Sequence, residues 1–76
     1  MLSEKEQALL KIIQEGDTNI ASVSMKTHIE QIEIQKLLIT LGAKGYVEVE
    51  LPAGKPKIKR ITEEGKDALE DNAWLL

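Results

Sequence analysis

Seventy-six residues, 42% of them hydrophobic, make a single domain with a modest core, and a chain this short is marginal alone, so self-association as a homodimer is the default expectation. The lack of Cys excludes a disulfide framework, a thiolate metal site and a cysteine nucleophile; no apolar run is long enough to span a bilayer, and the acidic start MLSEKEQ is unlike a secretory leader, so a cytoplasmic setting with no membrane partner is expected. The net charge of −3 opposes nucleic-acid binding until it is divided: residues 1–23 carry −2, residues 24–61 carry +3 and residues 62–76 carry −4, which concentrates the basic charge in the middle.

Ser3-Glu4-Lys5-Glu6 reads as a capping box opening a first helix over about 3–15, with Leu9, Ile12 and Ile13 on its apolar face and Gly16 as a left-handed stop. Asp17, Thr18 and Asn19 form a turn and offer the next N-cap. A second helix follows over about 19–26, with Ile20, Ala21 and Val23 facing inward, then a turn at Thr27 and His28 and a core-packing Ile29. The third helix spans about 31–43. Its Ile34, Leu37, Leu38 and Leu41 fall within about 100° of one another, the buried stripe, and Gly45 ends it.

Val47, Val49 and Leu51 alternate with Glu48 and Glu50 as a half-buried strand, Pro52 to Pro56 form a hairpin tip, and Ile58 and Ile61 mark a returning strand. Pairing Leu51 with Pro56 sets Glu50 against Lys57 and Glu48 against Lys59. Thr62 caps a fourth helix over about 62–74, with Glu63 and Glu64 in its first turn and Ala68, Leu69 and Ala73 on its apolar side. The fold class is mainly α with a small antiparallel β-hairpin.

Ile20-Ala21, Val23, Lys26-Thr27, Ile29, Ile34, Leu38, Leu41 and Lys44-Gly45-Tyr46-Val47 together resemble, without a gap, the helix-turn-helix of winged-helix DNA-binding domains. The hairpin over about 46–61 resembles the wing, and Ile61-Thr62-Glu63-Glu64-Gly65 is similar to the entry of the helix after the wing in MarR- and PadR-type regulators. The resemblance implies one winged helix-turn-helix domain over 1–76, a third helix reading the major groove and a dimer built through terminal helices. Two positions depart from the pattern. His28 stands where the turn residue is usually Gly, and Glu30 stands where the recognition helix usually has a Ser or Thr cap.

On that reading Gln31 and Gln35 pair with adenine, Glu33 accepts from cytosine, Lys36 donates to guanine or phosphate and Ile32 meets a thymine methyl. Lys55, Lys57, Lys59 and Arg60 crowd the hairpin, and Gly54 lets its tip approach the backbone; Lys26 and Thr27 hold phosphate before the turn. A neutral alternative pairs Lys57 and Lys59 with Glu50 and Glu48, leaving Lys55 and Arg60 for the nucleic acid. Ile32, Lys36, Ile39 and Ala43 form a second stripe opposite the core stripe, which favours a protein-interaction module using the same face. The segment Trp74, Leu75 and Leu76 ends apolar and suggests packing against the body or against a second subunit.

The single His, with no Cys beside it, cannot build a transition-metal site, and neither a glycine-rich phosphate loop nor a nucleophile–base set is present. No enzyme activity, cofactor, metal or small-molecule site is expected. The expected function is a small transcriptional regulator on double-stranded DNA, with the protein-interaction module as the alternative.

Overall fold

The computed structural model describes residues 2–50 and 56–73, of which 71–73 are described as backbone only. The elements run α1 (Glu4–Gln14), α2 (Ile20–Thr27), α3 (Gln31–Ala43), β1 (Val47–Glu50), β2 (Lys57–Ile61) and α4 (Glu63–Ala73). Among the described residues, four helices and a two-stranded antiparallel sheet make an α+β fold.

Local chemistry accounts for most of the boundaries. Ser3 N-caps α1 in a complete capping box: the Glu6 N–H donates to Ser3 Oγ (3.2 Å) and the Ser3 N–H to Glu6 Oε1 (3.0 Å). Asn19 caps α2 through the Ser22 N–H (3.0 Å). Thr62 caps α4 through the Gly65 N–H (3.1 Å). Gly16 (φ 102°) and Gly45 (φ 80°) turn the chain out of α1 and α3 in left-handed conformations.

The core is assembled around α1, which packs against α2, α3, α4 and β2. Leu9, Leu10 and Ile13 of α1 meet Val23 of α2, Ile29 of the turn, Ile34, Leu38 and Leu41 of α3, Val47 of β1 and Ile58 of β2. Ala21, expected inward, is exposed; Val23 and the half-buried Ile20 supply the buried side of this short helix.

The hairpin register differs from simple alternation. Glu50 pairs with Lys57 and Val49 with Ile58 as expected, but Glu48 then pairs with Arg60 and Val47 with Ile61, leaving Lys59 as the extra residue of a β-bulge. The cause is a spacing mismatch. Val47 and Val49 are two residues apart, whereas Ile58 and Ile61 are three apart. One inserted residue keeps both apolar pairs on the core face; without it Arg60 would oppose buried Val47.

Gly65 permits the close approach of α4 to the hairpin. A Cβ there would overlap the Tyr46 carbonyl oxygen and lie 2.8 Å from Ile61 Cγ1. Thr62 locks the same junction: its N–H donates to the Tyr46 carbonyl (3.0 Å) and its hydroxyl to the Gly45 carbonyl (2.6 Å).

Candidate nucleic-acid interface

The turn between α2 and α3 is held by side chains that cross it. Ser24 Oγ donates to the Ile29 carbonyl (2.5 Å), while Thr27 Oγ1 donates to the Val23 carbonyl (2.7 Å) and accepts from the Ile29 N–H (3.3 Å). His28 adopts the left-handed conformation (φ 59°, ψ 26°) that Gly would take more easily, and its N–H donates to the Ser24 carbonyl (2.9 Å). Ile29 is buried between the two helices' apolar sides. The Thr27 hydroxyl, expected to hold phosphate, is therefore committed to the turn.

Lys26, the other expected phosphate ligand of α2, is exposed and ion-paired to Asp17 (2.9 Å). Asp17 organises this corner. Its carboxylate also accepts from the Ser22 hydroxyl (2.6 Å) and the Asn19 N–H (3.0 Å), and the Ser22, Lys26 and Asn19 interactions, in that order, lower its pKa from 3.8 to about 2.

α3 begins without a side-chain cap, since Glu30 makes no capping hydrogen bond. Ile34, Leu38 and Leu41 are fully buried, and the opposite side faces solvent. Gln31, Ile32, Lys36, Ile39, Thr40 and Ala43 are exposed and Gln35 is half-buried. Ile32 is 65% and Ile39 52% exposed, unusually high for side chains this apolar. Glu33, expected to read a base, instead lies half-buried beside Lys5 of α1 at 2.6 Å, which removes it from the open face. The outward face of α3 thus carries no carboxylate in a chain of 13 acidic residues, and its one charge, Lys36, has no ion-pair partner among the described residues.

A groove of about 510 Å³ joins this face to the hairpin, with Ile39 and Ala43 on one side and Val49, Glu50 and Lys59 on the other. Arg60 forms a bidentate pair with Glu48 (Nε 3.0 Å, Nη2 3.1 Å), which lowers the Glu48 pKa and raises that of Arg60. Lys59, displaced by the bulge, reaches Glu50 at 3.3 Å. Arg60, which both readings left available, is thus neutralised, while Lys57, which only the neutral alternative paired with Glu50, has no ion-pair partner among the described residues. These pairings exchange because the bulge shifts β2 by one residue. The spacing of Ile58 and Ile61 carried that signal in the sequence. Lys55, Gly54, Trp74, Leu75 and Leu76 lie outside the described residues.

A further tie was not anticipated. Glu6 is only 8% exposed and joins the α1 capping box to Lys44, the C-cap of α3, at 3.3 Å. Burial pushes its carboxyl up, but hydrogen bonds from Ser3 and Lys44 outweigh that and hold it below its ordinary value.

Among the described residues there is no group of three or more His, Asp or Glu that could hold a metal ion, and no helix is long and apolar enough to cross a membrane. Comparison with known protein families, with curated proteins and with solved structures gives no match to this chain.

Proposed function

We propose that this chain is a winged helix-turn-helix module of the cytoplasm that binds double-stranded DNA, with α3 in the major groove and the hairpin along the flanking backbone. The observation that carries this reading is the open face of α3, free of carboxylates and presented by a cross-braced turn. Gln31 and Gln35 supply donors and acceptors for adenine edges, Ile32 an apolar contact for a thymine methyl, and Lys36 a charge for guanine or phosphate. Lys57 adds a charge from the hairpin that is unpaired among the described residues. Lys59 and Arg60 follow at small cost, because solvent screens an exposed ion pair and its cation is readily transferred to phosphate. Dimeric action on two half-sites would place two α3 helices about one DNA turn apart, roughly 34 Å.

The test is binding to mixed-sequence duplex DNA at low and at physiological salt, read by fluorescence anisotropy on labelled DNA. Affinity should fall steeply with salt, and Lys36→Glu and Lys57→Glu should each reduce the log–log salt slope by about 1. An absence of binding at low salt would refute the DNA reading, since non-specific binders respond there.

The exposure of Ile32 and Ile39 favours a second reading, a protein-interaction module docking through the same face. On that reading Ile39→Asp abolishes binding of the partner and the two Lys substitutions leave it intact.

A further inference from the structure

The outward face of α3 is apolar along its middle line. Ile32 and Ile39 stand 65% and 52% exposed. Their separation of one heptad places them within about 20° of one another on the helix and about 10.5 Å apart along its axis. Gln35, half-buried, lies to one side of this line and the exposed Lys36 to the other, and Gln31 opens the helix. The tertiary structure also withdraws groups from this face. Glu33, the acceptor suited to a cytosine amino group, is held at 2.6 Å by Lys5 of α1. The Thr40 hydroxyl donates to the Lys36 carbonyl (3.2 Å), so its hydrogen is not offered outward. The sequence of α3 contains no Arg, and Lys36 presents a compact point charge rather than the planar fork that matches guanine O6 and N7.

We infer that this face selects A·T-rich duplex DNA through thymine methyl groups, with Ile32 and Ile39 as its specificity-determining residues. The inference rests on the DNA reading above and narrows its target. The C5 methyl of thymine is the apolar group that base pairs present in the major groove, and an exposed aliphatic side chain gains by covering it. The Gln amides beside the Ile line carry the donor and acceptor that match adenine N6 and N7, so an A·T pair finds an amide for its purine and an aliphatic contact for its pyrimidine. A G·C pair finds neither, because the cytosine acceptor is drawn away to Lys5 and no guanidinium stands on α3. The charge around the two Ile suits a polyanion: the face has no carboxylate, and Lys36 and Lys57 are unpaired among the described residues. Amides, aliphatic groups and cations in this combination favour a duplex over a protein as the occupant.

The test is competition anisotropy at low salt with duplexes of one length. They are an A·T-rich duplex, the same duplex with deoxyuridine for thymine, and a G·C-rich duplex with either cytosine or 5-methylcytosine. The A·T-rich duplex should bind most tightly. Removing its methyl groups should weaken binding about fourfold for each Ile–methyl contact, the worth of one buried methyl group, or about fifteenfold for two. 5-Methylcytosine, which returns a methyl to the same groove position, should tighten binding of the G·C-rich duplex. The double variant Ile32→Ala, Ile39→Ala changes two exposed side chains, so it should keep its helical circular dichroism and bind the thymine and deoxyuridine duplexes alike. Equal binding of those two duplexes by the native chain would overturn the inference and leave the DNA reading standing. So would a preference for the G·C-rich duplex, or a deoxyuridine penalty retained in the double variant, which would assign the effect to duplex shape. Binding to none of the duplexes would overturn both and return this face to the protein reading.

Discussion

Gly65→Ala sets helix propensity against packing, and the structure predicts which wins. Gly65 lies in the first turn of α4 without a positive φ, so propensity alone favours Ala, by at most about 1 kcal/mol. The added methyl, however, meets backbone. It would overlap the Tyr46 carbonyl oxygen and stand 3.0 Å from the carbonyl carbon, and a carbonyl cannot rotate aside as a side chain can. That carbonyl is also fixed by the Thr62 N–H, and Thr62 in turn holds the Gly45 carbonyl and the Gly65 N–H. Relief requires α4 to move away from the hairpin, stretching this set of bonds. Overpacking costs about 1–3 kcal/mol and each weakened hydrogen bond about 1 kcal/mol. Taking about 3–4 kcal/mol of cost against about 1 kcal/mol of propensity leaves a net loss of about 2–3 kcal/mol. At about 4–8 °C per kcal/mol for a domain of this size, the Tm should fall by about 10–20 °C in a circular-dichroism melt. A Gly65→Ala chain that melts at or above the parent would show that α4 does not depend on this close approach.

Two further predictions concern the turn and the corner beneath it. His28→Gly should stabilise by up to about 1 kcal/mol, because a side chain in the left-handed region costs about 1–2 kcal/mol and the gain is partly offset by the extra freedom of Gly when unfolded; an unchanged or lowered denaturant midpoint would contradict it. Asp17 titrates from 3.8 when unfolded to about 2 when folded, so its contribution is fully present above about pH 4 and is lost as the pH falls toward 2. The difference in urea midpoint between the parent chain and Asp17→Asn should therefore shrink across that window, and a difference independent of pH would contradict the assigned contacts.

What the sequence determined by itself was everything set by neighbours along the chain. The Ser3–Glu6 capping box, the Asn19 cap, the stops at Gly16 and Gly45 and the Ile34–Leu38–Leu41 stripe each depend on residues within a turn or two, so period and capping chemistry place the helices to within a residue or so. The exposure of Ile32 and Ile39 was legible in the same way, as the side of α3 opposite that stripe. The available charges were not. Glu33 is drawn off the α3 face by Lys5, 28 residues earlier, and Lys44 is bound to Glu6 across 38 residues. Among the described residues, the choice between Lys57 and Arg60 as the unpaired hairpin cation turned on a one-residue bulge required by the core face. Gly65 likewise reads as a poor helix residue until the Tyr46 carbonyl is beside it. The tertiary structure decided these points because ion pairs, strand register and backbone approach join residues far apart in the chain, and hydrophobic burial, which is non-directional, sets which of them meet.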